Sequence, residues 1–230
     1  MIIETMGRRR TSEIDSYVKS LLHFDGDDGS TTFTDEIGKI WNNYGSSQID
    51  TASYKFGGAS GFFGGTGNYI TTGSNVDFNI GSGDFTIDAW VRIASLTASR
   101  TIIGNMNYEN TSYSFFVTIY SNGCPYAAIQ SVSGQTYNIF GSTPISNYTD
   151  FNHIAFVRSG NTIYLFKNGI LGGTKDVTGI TVKTVLTNIS IGRMGEYASY
   201  DMNGWIDELR FSKGIARWTS NFTPPTSAYR

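Results

Sequence analysis

The sequence has little that could supply a cross-link, a membrane span or a strong electrostatic field. Its 230 residues contain a single cysteine, Cys124, so no disulfide can form within the chain and packing must hold the fold. No apolar run is long enough to span a bilayer, which argues against membrane insertion. The formal net charge of −2 lacks the basic excess typical of nucleic-acid-binding proteins.

The N-terminal segment also lacks the apolar stretch of a secretion signal. The arginines at 8–10 precede polar residues, so we expect no Sec-type export from this segment. Residues 12–15, Ser-Glu-Ile-Asp, fit a helix-capping pattern, and with the apolar residues that follow they indicate a short helix over 12–21. The alternative is an extended arm over residues 1–20 that holds a neighbouring subunit.

What the chain does contain suits short strands joined by tight turns. It has 27 glycines, above the average usage of about 7%, and 14% aromatic residues. Aromatic residues favour strands, and glycine allows the backbone conformations of tight turns. Strand-like runs follow one another without a fixed repeat, and helix is indicated only at 12–21 and 214–218. We therefore predict two antiparallel sheets packed face to face, in one domain over residues 21–230.

Residues 84–93, DFTIDAWVRI, alternate most clearly and predict a central strand with one face in the core. The apolar face consists of Phe85, Ile87, Ala89, Val91 and Ile93. Asp88 and Arg92 lie on the opposite face, where they can pair with charges on a neighbouring strand. Glu208 and Arg210 are the candidate partners.

Residues 203–212, NGWIDELRFS, are predicted to form a late strand with a carboxylate, that of Asp207, among large apolar residues. Strict alternation puts Trp205, Asp207, Leu209 and Phe211 on one face, which we expect to turn toward the core. A buried carboxylate is costly unless it is paired, hydrogen-bonded or bound to a metal. Asp207 therefore needs a partner.

An acidic turn follows the first predicted strand, at residues 25–30. Asp25, Asp27 and Glu36 have the spacing of three EF-hand ligands, but Ser30 replaces the required glycine and no helical pattern flanks the loop. We reject an EF-hand. A turn rich in aspartate and glycine is one interpretation, and a different cation site with oxygen ligands stays open.

Nothing in the sequence has the pattern of a catalytic site. Glycan hydrolysis needs two carboxylates about 5–9 Å apart, whereas Asp84 and Asp88 on one strand face are separated by roughly 13 Å. His23 and His153 lie in strand patterns without a nucleophile motif, and Cys124 precedes a proline in a turn. We predict that the protein is not an enzyme.

Six stretches form an ordered set that resembles a known family. They are LLHFDG at 21–26, STTFTDEIGK at 30–39, KFGGASGFFGGTGNYITTG at 55–73, SGDFTIDAWVRI at 82–93, FNHIAFVRSGNTIYLFKNG at 151–169 and GWIDELRFSKGIARWTSNFTPP at 204–225. Together they resemble the laminin-G-like jelly rolls of the concanavalin A-like lectin/glucanase superfamily, and in particular the branch found in tailed-phage structural proteins. The resemblance covers nearly all of residues 21–225.

The resemblance implies a two-sheet jelly-roll sandwich of 12 to 14 strands whose first and last strands are neighbours. It would bring Asp25 close to Asp207, where several relatives hold a structural Ca²⁺. Carboxylates and the carbonyls of a tight loop are ligands that Ca²⁺ prefers, so Asp25 and Asp207 are the candidate metal ligands. The alternative is that Asp207 accepts hydrogen bonds from backbone N–H groups of the first turn, without a metal.

The resemblance also implies a function. We expect a non-catalytic phage virion protein on the particle exterior, either a capsid decoration subunit or a tail-associated adhesin. Its partners would be other virion proteins and copies of itself, as a homotrimer. The alternative is a carbohydrate-binding, lectin-like module without a virion role.

Glycan binding would require exposed aromatic side chains on which a sugar ring can stack, with polar groups beside them. Six aromatic residues lie in or near predicted loops and are candidates for this role: Trp41, Tyr44, Tyr108, Tyr113, Tyr197 and Tyr200. Each of them is equally compatible with a place in the core or at its rim.

Overall fold

The computed structural model describes residues 14–107, 111–185, 188–196 and 200–230. Within these ranges regular structure is almost entirely β-strand, apart from one turn of 3₁₀ helix at Val76–Phe78. The predicted all-β fold is confirmed. The helix predicted over 214–218 is wrong, because those residues form a bend and extended chain that pack against a sheet.

The prediction of a helix over 12–21 is also wrong for residues 14–21, which are the part of it that the structure describes. Residues 14–17 form a loop and turn, and β1 (Val18–Leu22) is a strand that pairs with the last strand of the chain. The extended form wins because it supplies sheet hydrogen bonds and packs Val18 and Leu21 against Tyr229. The predicted boundary at residue 20 falls inside β1. Residues 1–13 lie outside the described residues, so the arm stays a prediction.

Two antiparallel sheets form the sandwich. The eight-stranded sheet contains, in spatial order, β13 (Ile170–Asp176), β12 (Thr162–Lys167), β11 (Asn152–Ser159), β6 (Phe85–Ile93), β15 (Asn203–Lys213), β4 (Ser60–Gly64) and β3 (Gln48–Asp50), with β1 also beside β15. The seven-stranded sheet contains β10 (Thr136–Phe140), β9 (Pro125–Gln130), β8 (Tyr113–Ile119), β7 (Arg100–Met106), β14 (Ile189–Ile191), β5 (Tyr69–Thr72) and β2 (Asn42–Tyr44). This is the predicted two-sheet jelly-roll architecture, although the described residues form fifteen strands instead of the expected 12 to 14.

The core lies between the two sheets and is built by the alternation of their strands. The five apolar residues predicted to face inward from β6 are all buried in it. Phe115 from β8 meets Phe211 from β15 across the sandwich, with ring centroids 5.5 Å apart. Each sheet therefore has an inner face in the core and an outer face that points away from it.

β15 is the central element of the eight-stranded sheet. One edge pairs with β6 along most of its length, while the other edge pairs first with β4 and then with β1. The predicted contact between the first and last strands is confirmed. A bulge interrupts the β6 pairing between Asp207 and Arg210, and Glu208 at its centre has a left-handed φ of 51°.

The bulge corrects the predicted faces of β15. Ile206 lies in the core together with Leu209 and Phe211, whereas Trp205 is half-buried on the outer face. There its Nε1–H donates to Asp50 Oδ2 at 2.6 Å. Alternation fails because the extra residue shifts the phase by one, so Trp205 and Phe211 face opposite ways.

Residues 214–230, which we call the C-terminal cover, lie over the outer face of the eight-stranded sheet. Trp218 and Phe222 stack at 4.0 Å and pack on apolar side chains of β11 and β12. Phe222 N–H donates to Gly169 O at 2.9 Å, which anchors the segment to the turn between β12 and β13. No helix of the described residues is long and apolar enough to cross a membrane.

Candidate functional site

Asp207 is buried at the bulge of β15, and only one of its oxygens is paired. Its Oδ2 accepts hydrogen bonds from the N–H groups of Lys55 and Phe56, at 2.7 and 3.0 Å. These donors come from the loop before β4, so the predicted donors in the first turn are wrong. Its Oδ1 is buried and has no hydrogen-bond partner among the described residues.

The charge of Asp207 is strongly disfavoured in this position. Burial raises the pKa of Asp207 to about 7, against the lowering effect of the two backbone donors, and the charges of Glu208 and Asp25 raise it further. Partial desolvation likewise raises the pKa of Asp25, although the residue as a whole is exposed. The two predicted metal ligands are therefore electrostatic neighbours, as the family resemblance implied.

The fit of a Ca²⁺ ion to this site rests on the unpaired oxygen of Asp207. A cation next to Oδ1 would supply the missing partner and remove the cost of ionising the carboxylate. Asp25, exposed in the first turn, is the second carboxylate. Among the described residues no group of three or more Asp, Glu, His or Cys side chains could hold a metal, so backbone carbonyls or water would have to complete the shell. The metal ligands stay a prediction.

A buried charge network occupies the middle of the same outer face. Arg210 donates to Asp88 through Nε at 3.1 Å and Nη2 at 3.0 Å, so the predicted pairing between β15 and β6 is confirmed. Tyr229 of the C-terminal cover donates its hydroxyl to Asp88 Oδ2 at 2.6 Å. Arg210 and His153 hold the pKa of Asp88 at about 2, against the opposing effect of burial.

His153 and Glu208 complete this network as structural residues. His153 is fully buried, with Nε2 lying 3.1 Å from the Tyr229 hydroxyl and 3.4 Å from Asp88 Oδ2. Glu208 accepts from the Tyr229 N–H at 2.7 Å and lies 2.8 Å from His23 Nδ1. Both histidines therefore serve the contact between the chain ends and the sheet.

The outer face of the seven-stranded sheet has a different character. Four ring side chains and one amide at its β8–β10 end form a surface that we call the aromatic face: Phe116, Tyr120, Tyr126, Asn138 and Phe140. Tyr126 and Phe140 stack at 4.3 Å with an interplanar angle of 21°. Phe140 is 47% exposed and Tyr120 is 39% exposed, so these two rings meet solvent directly, whereas Phe116 is buried.

Strand alternation and register build this surface. Tyr126 stands opposite Phe140 on the neighbouring strand, so their side chains leave the sheet on the same side. Their neighbours Ala127 and Ile139 point into the core. Asn138 donates to the Tyr126 hydroxyl at 3.2 Å, and its exposed amide lies next to the rings. The surface therefore combines flat apolar groups with hydrogen-bonding groups.

The predicted glycan-contact residues have mixed outcomes. Trp41 is buried and donates to Asp35 Oδ2 at 3.0 Å, and Tyr113 is buried with its hydroxyl 2.7 Å from Thr136 Oγ1, so neither is an exposed platform. Tyr44 and Tyr200 are 45% and 42% exposed. Tyr108 and Tyr197 lie outside the described residues.

Tyr44 belongs to a second, smaller aromatic stack at the β2 edge of the same sheet. The Tyr44 ring lies 4.7 Å from the Tyr69 ring. The Arg193 guanidinium lies 4.0 Å from the Tyr69 ring. Arg193 is held by Asp201 at 2.9 and 2.6 Å. The stack is therefore rigid, with Tyr44 as its exposed member.

The aromatic face was not identified from the sequence, because only aromatic residues in or near predicted loops were considered as glycan contacts. Tyr126 and Phe140 sit within strands, at positions that alternate with buried aliphatic residues. A large ring at a solvent-facing strand position was the available signal, because such positions on a half-exposed sheet are normally polar.

A family profile described as the concanavalin A-like lectin/glucanases superfamily, of the third laminin G type, matches residues 63–217. The chain belongs to this superfamily. The profile covers more than half of the chain and includes β6, β15 and the aromatic face. No curated protein matches the sequence.

Solved structures show the same fold at low sequence identity. The binding domain of Paraclostridial Mosquitocidal Protein 1 aligns with a TM-score of 0.66 and 15% identity, over 86% of this chain and 49% of that one. The receptor binding domain of botulinum neurotoxin D gives 0.64 and 15%, over 87% and 50%. A serotype D ligand binding domain in complex with N-acetylneuraminic acid gives 0.61 and 15%, over 87% and 48%. The chain thus spans about half the length of these structures.

Proposed function

We propose that the protein is a non-catalytic, lectin-like module that binds a glycan on its aromatic face. The observation that carries the proposal is the exposed stack of Tyr126 and Phe140, with Tyr120 edge-on to Phe140 at 5.5 Å. Clusters of exposed rings on a soluble surface are costly, and they commonly mark a binding site.

The chemistry of the aromatic face suits a sugar. The C–H groups of a pyranose ring are apolar enough to pack on Phe140 and Tyr126, while its hydroxyls need hydrogen-bonding partners. Asn138 and Thr136 are exposed residues two apart on β10, and their amide and hydroxyl lie on the same side of the sheet; the Thr136 hydroxyl is also held at 2.7 Å by the Tyr113 hydroxyl. This mixture favours a glycan over a purely apolar ligand.

The comparisons support a binding role of this class. The family includes lectins, and the solved structures of similar fold are binding or receptor binding domains, one of them in complex with N-acetylneuraminic acid. They span the fold at 15% identity, so the location of any glycan on this chain rests on its own residues.

We propose further that the module acts on the exterior of a phage particle, as a decoration subunit or a tail-associated adhesin, in homotrimers. The support is the resemblance of the ordered motifs to phage structural proteins. Light scattering of the full chain, alone and with purified capsids, tests this. A trimer that adds stoichiometrically to capsids supports decoration, and a monomer that ignores them argues against it.

A structural Ca²⁺ at Asp25 and Asp207 is also proposed, in support of the fold rather than of ligand binding. The unpaired Oδ1 of Asp207 and its raised pKa support it. The ion would supply positive charge between the first turn and the bulge of β15. Calcium-dependent thermal stability, lost in Asp207→Asn, tests the proposal.

A glycan array tests the central proposal. Wild type should bind a subset of glycans, and the double variant Tyr126→Ala/Phe140→Ala should lose them while keeping its thermal transition. Tyr54→Ala, which removes another ring that is 51% exposed, is the matched control and should bind as wild type does. Absence of binding by wild type across neutral and acidic glycans contradicts the proposal.

A further inference from the structure

A cleft of about 670 Å³ opens on the outside of the C-terminal cover. Its walls are residues 215–218 and 225–230, and Arg210 of β15 also lines it. The volume is within the range of small-molecule sites, roughly 300–1,000 Å³. This cleft is separate from the aromatic face, which lies on the other sheet.

The cleft is lined by arginines, and none of its lining residues has an acidic side chain. Arg210 is only 8% exposed, and Tyr229 stacks on its guanidinium at 4.0 Å. Arg217 donates from Nε to Ser212 Oγ at 3.1 Å. Ser212 and Arg210 lie two residues apart on β15, so the hydrogen bond to Ser212 anchors Arg217 on the same part of the sheet as Arg210.

Both arginines keep part of their donor capacity. Arg210 uses Nε and Nη2 for Asp88, and Arg217 uses Nε for Ser212 and Nη2 for Asp15 at 2.8 Å. Nη1 of each has no hydrogen-bond partner in the described part of the chain. The Asp15 side chain is 44% exposed, so solvent screens its ion pair with Arg217. The ion pair of buried Asp88 with Arg210 is screened much less.

Aromatic surface adjoins these donors. Phe222 stacks on Trp218 at 4.0 Å with an interplanar angle of 6°, while the Arg210 guanidinium lies 5.8 Å from the same ring. The His153 ring also contacts Trp218, at 5.6 Å and an interplanar angle of 90°. Trp218 lines the cleft next to Arg210.

We propose that this cleft binds the carboxylate of an acidic sugar unit. Nη1 of Arg210 and Nη1 of Arg217 receive the carboxylate, and the sugar ring packs on Trp218. Arginine suits this role because its planar fork matches carboxylate geometry and stays charged at all physiological pH values. The site goes beyond the proposed function of the aromatic face and does not depend on it.

Calorimetric titration with glucuronate and with glucose tests the proposal, because the two probes differ in the carboxylate. Glucuronate should bind to wild type and glucose should not. Arg217→Gln should weaken glucuronate binding about tenfold, as expected for loss of a charge-assisted hydrogen bond, and Arg217→Lys should weaken it less. Asp15→Asn should strengthen it, because a competing carboxylate is gone.

Two controls separate this site from the rest of the surface. Arg92 lies 4.5 Å over Trp205 elsewhere on the same sheet, so Arg92→Gln removes a comparable arginine beside a tryptophan and should leave binding unchanged. Tyr126→Ala/Phe140→Ala should also leave it unchanged, whatever the outcome for the aromatic face. Equal affinity for the two probes, no glucuronate binding, or an unaffected Arg217→Gln that retains its thermal transition would overturn the proposal.

Discussion

The two outer faces of the sandwich use their strands in opposite ways. The outer face of the eight-stranded sheet carries charged side chains, and the C-terminal cover buries them. β1 belongs to the same sheet and pairs with β15. The outer face of the seven-stranded sheet carries rings, and its β8–β10 end is open to solvent. One face is covered by the chain itself, and the other is open to solvent at its β8–β10 end.

The difference shows what each kind of side chain requires. Asp88 and Arg210 can stay buried only because each has several partners, including Tyr229 from the cover. Exposed rings such as Phe140 can remain in water without a partner at a modest cost in free energy, and a ligand that displaces water from them lowers that free energy. The buried charges therefore stabilise the fold, and the proposed glycan binding rests on the exposed aromatic surface.

The largest effect is expected from breaking the covered face at its centre. Asp88→Asn leaves the buried Arg210 without its counter-ion, which should cost about 3–5 kcal/mol of unfolding free energy. Urea denaturation measures this. Asp27→Asn, an exposed carboxylate in the first turn, is the control and should unfold as wild type does. Equal losses in the two variants would mean that the network contributes nothing special.

The same carboxylate predicts an acid limit to stability. The pKa of Asp88 is lowered to about 2 in the folded protein, from its ordinary value of 3.8, because Arg210 and His153 outweigh the effect of burial. Its contribution is therefore fully present above pH 3.8 and is lost as the pH falls toward 2. Asp88→Asn should remove this part of the acid transition. An unchanged slope between pH 4 and 2 would contradict the assignment.

Asp207 should show a smaller effect of opposite sign. Its pKa is raised to about 7, so in the presence of chelator the ionised form destabilises the fold above pH 7, and stability rises as the pH falls from 7 toward 4. At pH 8 with chelator, Asp207→Asn should be more stable than wild type by on the order of 2 kcal/mol. Adding Ca²⁺ should reverse the order. A melting temperature of wild type that ignores Ca²⁺ would remove the metal from the account.

The weakest test concerns the contact between His23 and Glu208. Their hydrogen bond raises the pKa of His23, so its contribution is complete below the unfolded value of 6.5 and is lost as the pH rises through the folded value. His23→Gln should abolish this loss, with an effect of about 1 kcal/mol or less, because the site is partly exposed. An NMR titration of His23 in wild type and in Glu208→Gln measures the shift. Identical titration curves would contradict it.

Much of the fold could be read from the sequence, because β6 alternates cleanly and its neighbours follow the same period. The pairing of Asp88 with Arg210 followed from two outward charges on adjacent strands. The faces of β15 could not be read, since the left-handed residue Glu208 shifts the phase and is not glycine. The neighbourhood of Asp25 and Asp207 came from family resemblance, and no local pattern indicates it.

The aromatic face was harder to predict than the fold. Trp41 lies in a predicted loop, but its indole N–H donates a hydrogen bond to the buried carboxylate of Asp35. The periodicity of the sequence does not indicate this contact. Tyr126 and Phe140 meet only because β9 and β10 pair in one register. Register depends on the turn and on packing across the sandwich, so the stack is a property of the tertiary structure.

The most direct measurement is the affinity of Phe140→Ala and Tyr54→Ala for a glycan that wild type binds, determined by calorimetry under identical conditions. Both variants remove a ring that is about half exposed, but only Phe140 belongs to the aromatic face. We expect Phe140→Ala to lose affinity by about tenfold or more, and Tyr54→Ala to match wild type. Equal affinities for the two variants would contradict the assignment of the aromatic face as the glycan-binding surface.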